Sequence, residues 1–317
     1  MPQICPSMFE IERYTDAQAG EWNAFVRSSK NGTFLFDRGY MDYHADRFAD
    51  ASLMCRRDGR LYALLPANRD GDALYTHQGL TYGGLVTGAE ATAAGVLHLL
   101  EQMNARWRSE GVRRVVYKPI PYIYASMPAD EDLYALFRCG ARLVARGIST
   151  AMPYAGLCRW HKDRRTALNR ARRHGVEVRV TTCIDDFWPI LTANLRERHH
   201  TTPVHSLEEM RHLIAMCPGH IALYEARLPD GTPVGGMLVY RTARVLHSQY
   251  LAASAEGKRC GAIEAIMEVV LQAEGFAYFD FGISTEDGGH VLNEGLIYQK
   301  EGFGGRAVCY DTYAYDL

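Results

Sequence analysis

The feature that most constrains this chain is that its pattern of elements occurs twice. In the first part, EIERY (10–14) has the composition of a strand, and DAQAGEWNAFVRSS that of a helix opened by Asp16 as cap. ASLMCRRDGRLYALLPANRDGDALYTHQGL reads as successive antiparallel strands, with Asp58-Gly59 as a hairpin turn. A helix from about Ala91 to Ser109 stops at Glu110-Gly111, and VRRVVYK is a further strand. The order then returns. IDDFWPILTANLRERH and SLEEMRHLIAMC are helices, the second with Ser206 and Glu209 in capping-box spacing. HIALYEARL, PVGGMLVY and RVLHSQYL are strands around an Asp230-Gly231 turn, GAIEAIMEVVLQA is a helix stopping at Glu274-Gly275, and FAYFDFG is a strand. The two Asp-Gly turns lie about 172 residues apart and the two Glu-Gly stops about 164. One order at nearly one offset is the mark of an internal duplication. The chain is therefore expected to be mixed α/β (α+β), with domains at 1–155 and 156–317.

With 317 residues, 47% of them hydrophobic, the chain can build two cores. Its 35 basic residues nearly balance 37 acidic ones, which argues against a DNA-coating protein. No run of 18 apolar residues is present, and MPQICPSMFEIERY lacks a signal-peptide core, so we expect a cytoplasmic protein with no membrane span. The eight cysteines lie far apart without a CxxC pair and read as small core residues in a reducing compartment. No metal is expected. His199, His200 and His205 flank TTP in a loop, where they line an acceptor pocket or form ordinary polar surface, and their spacing is poor for a metal.

Three motifs bear on chemistry. The segment RWHKDRRTALNRARRHGVEVRV carries eight Arg and Lys against Asp163 and Glu177. It is either a solvated helix face or a wall for a phosphate-bearing ligand, since Arg presents a planar fork to phosphate oxygens. On one helix, Arg164, Arg165, Arg170 and Arg173 cannot all face one way, so about half are expected to point inward. EGKRCGAIEA (256–265) lies between a strand and a helix start, where Gly257 and Gly261 permit tight turns and free helix amides attract anions. Lys258 and Arg259 add positive charge, and Ala262 opens the helix. Asp280-Phe281-Gly282 spells a kinase magnesium loop, but no HRD triplet and no glycine-rich strand-loop accompany it.

Strands, a glycine-bearing loop, a helix and a strand, in that order, resemble the GNAT acyltransferase fold. The duplication, RRTALNRARRHGVEV, LTYGGLV near residue 80 and DFG…LNEGLIYQKEGFG are similar to the FemAB-type branch and its BioF2-like acetyltransferases. The resemblance spans nearly the whole chain and implies two tandem GNAT-like domains, each a mostly antiparallel sheet flanked by helices. It implies an acyltransferase that takes acyl-CoA (acetyl-CoA) as donor, with Gly257, Lys258, Arg259, Gly261 and Ala262 around the pyrophosphate. Arg259 stands where the family's loop has its middle glycine, which leaves aminoacyl-tRNA open as the donor and a peptidoglycan precursor as the acceptor. A catalytically silent binding protein is the reading from another class.

The resemblance also implies Lys300, in QKEGFG, as the group that stabilises the charged intermediate of acyl transfer. The bland alternative is a helix-end cation. Asp280 at its strand end and Glu294 on the following helix are the carboxylates available as a base. Arg164, Arg165, Arg170, Arg173, His205 and Ser284 are the candidates to hold a soluble small-molecule acceptor, nucleotide-linked acceptors included.

Overall fold

The computed structural model describes residues 8–156, 158–199 and 201–317. Cys5 and His200 lie outside these, as does the side chain of His199. The chain forms two compact units. One holds residues up to Gly147, Thr285–Val291 and Cys309–Leu317; the other holds Ile148–Ser284 and Leu292–Val308. The second unit begins at Ile148, so a cut at 155 falls inside it, and the chain returns to the first unit at Thr285 and again at Cys309.

In the first unit, Leu53–Arg57 and Arg60–Leu65 pair as an antiparallel hairpin. Asp58 and Gly59 both take positive φ (53° and 74°) at its tip, as a tight two-residue turn requires. Glu10–Arg13 adds an antiparallel edge to this hairpin. The expected cap Asp16 is displaced by Thr15, whose N–H donates to Gln18 Oε1 (2.9 Å) ahead of the helix Ala19–Ser28. The helix Ala93–Ser109 is capped by Thr92, whose Oγ1 accepts the Gly95 N–H. Its Val96, Leu99, Leu100, Met103 and Trp107 recur at helical spacing and are buried against Tyr62, Leu65 and Val115.

The second unit is built on six neighbouring strands of the larger sheet: β1 (Arg142–Pro153, in this unit from Ile148), β2 (Glu177–Thr181), β3 (Ile221–Arg227), β4 (Pro233–Arg241), β5 (Val245–Ala253) and β6 (Tyr278–Ile283). In space they run β2-β3-β4-β5-β6-β1. Every neighbouring pair is antiparallel except β5 and β6. The helices are α1 (Lys162–Arg173), α2 (Phe187–His199), α3 (Leu207–Met216), α4 (Ala255–Cys260), α5 (Ala262–Val270) and α6 (Glu294–Glu301). The capping box of Ser206 and Glu209 opens α3 as expected. The helix α5 ends at Val270, short of Gly275. Its Ile266, Met267 and Val270 pack on Met237, Leu246 and Phe279 of the sheet, all fully buried. Both units are thus mixed α/β, with mostly antiparallel sheets flanked by helices. The seven cysteines among the described residues are free thiols. Among the described residues no helix is long and apolar enough to cross a membrane.

Candidate active site

The chemistry-bearing residues collect where β5 and β6 part. The parallel pairing of these strands ends at His247 opposite Asp280. Beyond that point β5 continues along β4 as far as Ala253, while β6 leaves it. A cavity of about 230 Å³ opens in the gap, lined by Ser248, Leu251, Phe281, Leu296, Gln299 and Lys300 among others. Gln249 also faces it, from a bulge in β5 that leaves it without a partner opposite on β4.

A second bulge positions Lys300. Along β1, Asp280 stands opposite Ala151 and Ile283 opposite Ser149, so β6 carries one extra residue. Gly282 absorbs the distortion at φ 79°, in the left-handed region that glycine enters at little cost. The bulge turns the carbonyls of Gly282 and Ile283 toward α6, where Lys300 Nζ donates to both (2.8 and 2.9 Å). An ammonium has three donors, so one N–H is left over. Lys300 is only 7% exposed, and burial pushes its amine down to about 8, with the charge of Asp280 acting the other way.

Asp280 is not placed to act as a base. It is 0% exposed, and both oxygens are engaged. Oδ1 accepts from Ser149 Oγ (2.5 Å) and from the Gly282 N–H (3.1 Å), while Oδ2 meets His247 Nδ1 (2.9 Å). Glu294 is exposed on the first turn of α6 and lines neither the cavity nor the groove described below, so it too lacks a base's position. His205 turns its Nδ1 to the Tyr250 hydroxyl (2.9 Å), and that contact holds it off the cavity wall. Ser284 is 1% exposed and its Oγ has no partner, yet it lines neither space.

The cavity adjoins a wider groove of about 890 Å³, with Lys258, Ile263 and Gln299 common to both. Four cations face this groove, Lys162, Arg164, Arg170 and Lys258, against the acids Asp163 and Glu264. Arg164 spends part of its charge on Glu264 (2.8 Å) and lies over the Phe303 ring. Of the four arginines singled out on the basic helix, Arg164 and Arg170 face the groove. Arg165 and Arg173 are exposed and lie off it.

The expected pyrophosphate loop is absent as a loop, because its residues are helical from Ala255. The Gly257 N–H is taken by Ser254 Oγ (3.1 Å), and a Cβ at Gly257 would meet the Val234 carbonyl oxygen at 2.0 Å. Gly261, at φ 89°, breaks α4 from α5, and a Cβ there would meet the Ala167 carbonyl oxygen at 2.3 Å. The glycines therefore admit the protein's own β4 and α1, and Ala262 is sealed in the core. Arg259 points to solvent and pairs with Glu256. Lys258 alone of the five residues assigned to that loop faces the cavity and groove.

Residues 161–288 match the acetyltransferase (GNAT) domain family. The fold is similar to FemX, with a TM-score of 0.72 at 12% identity over 97% of both chains. Residues 161–288 thus carry a GNAT domain, and the chain as a whole has the fold that FemX shows. L-PGS from Bacillus licheniformis is similar over 96% of this chain and 92% of its own (TM-score 0.60, 13% identity). A tandem GNAT protein from the clavulanic acid biosynthesis pathway is similar over 98% of both chains (TM-score 0.52, 13% identity), and two tandem GNAT-like domains make up this fold. No curated protein matches the sequence. The GNAT domain match contains His247, which sequence reasoning missed. A histidine directly after the apolar pair Val245-Leu246 in the strand RVLHSQYL was the available signal.

Proposed function

We propose that the second unit transfers an acyl group from an acyl-CoA thioester to an amine, or a hydroxyl, of a soluble acceptor. The observation that carries this reading is the Lys300 amine, held by two carbonyls with one N–H left over, beside a cavity that adjoins a basic groove. The acceptor amine attacks the thioester carbonyl, whose oxygen becomes anionic as the new C–N bond forms. Lys300 stabilises that oxyanion, the C–S bond then breaks, and the departing thiolate takes the proton that the amine loses. Neither Asp280 nor Glu294 stands where a base is needed, so this proton passes through water or directly to the thiolate. Lys162, Arg170 and Lys258 supply charge for phosphate groups, on the donor or on a nucleotide-linked acceptor. The free thiols fit a reducing compartment, and we place the reaction in the cytoplasm.

The likeness to FemX favours a second reading, in which the donor is an aminoacyl-tRNA and the acceptor a peptidoglycan precursor. An analogous oxyanion forms there, bearing the ester oxygen in place of sulfur, and its C–O bond breaks to release the tRNA hydroxyl with the proton the amine loses. Thiol release measured over a panel of acyl-CoAs and amines tests the first reading, with aminoacyl-tRNA consumption run in parallel. Turnover of acyl-CoA, lost in Lys300→Met, is the expected result. Consumption of aminoacyl-tRNA alone moves the assignment to the second reading, and turnover of neither donor overturns both.

A further inference from the structure

We propose that Asp280 is the positioning residue of this site: it fixes the Gly282 bulge that holds the Lys300 amine, and it sets a negative charge beside that amine. The inference rests on the reading of Lys300 as the oxyanion's partner, although its main test needs no turnover.

Gly282 is held at both of its backbone polar groups. Asp280 Oδ1 accepts its N–H at 3.1 Å, and Lys300 Nζ donates to its carbonyl at 2.8 Å. Movement of the carboxylate therefore moves the carbonyl that seats the amine. Asp280 is itself braced from both neighbouring strands, by Ser149 on β1 and His247 on β5. Donation to a carboxylate puts the His247 proton on Nδ1. So many donors around one side chain of 0% exposure are what an ionised carboxylate needs in a site without water. The Gly282 N–H can only donate, so Oδ1 is held as an acceptor.

The charged groups around the Lys300 amine are few. Asp280 acts on it from β6, and Lys258 shares its cavity from α4. The helix α2 contributes Asn194 and β5 contributes Ser248 and Gln249, all uncharged, and His247 of β5 meets Asp280. The strand β1 contributes Ser149, which also meets Asp280. Burial favours the neutral amine, and Asp280 is the counterweight that keeps it charged.

Asp280→Asn keeps the shape and the acceptor oxygen and removes the charge. In the full chain labelled with ¹³C-lysine, the Lys300 side-chain resonance is assigned by its disappearance in Lys300→Met and titrated by NMR. The parent midpoint is expected near 8. In Asp280→Asn it is expected to fall by about one pH unit or more, the size of effect a nearby opposite charge has. The alkaline limb of kcat should move with it at nearly unchanged KM. A folded Asp280→Asn protein with an unmoved midpoint overturns the proposal. If no donor turns over, the functional reading fails while the titration still decides what Asp280 does. Should Asp280→Asn not fold, His247→Asn loosens the carboxylate and spares its charge. We then expect about tenfold lower kcat at similar KM, with little further loss when His247→Asn is added to Lys300→Met. Unchanged kcat, or losses that simply multiply, overturns the proposal.

Discussion

At the scale of single residues, the reading depends on Lys300 and the bulge that seats it. Lys300→Met keeps the length and removes the charge. A contact made mainly with the oxyanion should, when lost, lower kcat about a hundredfold, roughly 3 kcal/mol, and leave KM nearly unchanged. The pH profile gives the sign independently. Burial brings the amine down to about 8, so the ammonium predominates below that pH and the neutral amine above it. A cation that stabilises an oxyanion makes kcat fall as pH rises through about 8, whereas a general base would make it rise. Gly282→Ala should cost about 1–2 kcal/mol of stability for a left-handed non-glycine residue, read by denaturant titration, and lower kcat as the carbonyl shifts. Lys300 was singled out because QKEGFG resembles a FemAB-type segment. The occupation of Asp280 was not legible in the sequence, because its partners Ser149 and His247 lie 131 and 33 residues away.

At the scale of elements, local signals served well wherever the cause is local. The periodic apolar face of Ala93–Ser109, the Ser206 capping box and the Asp58-Gly59 turn each depend on neighbours within a few residues, and each forms. The glycines of EGKRCGA misled because their reason is distant. Gly261 makes room for the backbone of α1 at Ala167, and Gly257 for that of β4 at Val234. No local pattern separates a glycine that admits a ligand from one that admits another helix. The consequence is testable. Gly261→Val forces a β-branched residue to a φ of 89° and drives its Cβ onto a carbonyl oxygen. It should destabilise the second unit by about 3 kcal/mol or more, as strain and overpacking together do. Urea unfolding followed by circular dichroism reads this. A stable Gly261→Val protein that has merely lost affinity for CoA would restore the pyrophosphate-loop reading.

At the scale of the whole molecule, the question is which donor the basic groove is built to receive. A ligand that binds only the folded chain stabilises it by an amount set by its concentration over Kd, about 2.7 kcal/mol at a hundredfold excess. In a chain of this size that is a rise of a few degrees in unfolding temperature. If Lys162, Arg170 and Lys258 hold phosphates, CoA should raise the unfolding temperature and pantetheine, which lacks phosphate, should raise it less. Arg170→Ala and Lys258→Ala should bring the CoA shift down toward that of pantetheine. Added salt should shrink the difference, because the cations lie at an open groove where mobile ions screen them. Where two transitions are resolved, only that of the second unit should move, because the cavity and groove are lined entirely by its residues. Equal shifts from CoA and pantetheine would mean that the cations do not read phosphate, leaving Lys162 and Arg170 as the solvated face of a helix. A shift with aminoacyl-tRNA and none with CoA would give the groove to the second donor and leave the Lys300 chemistry intact, since an ester and a thioester pass through analogous oxyanions.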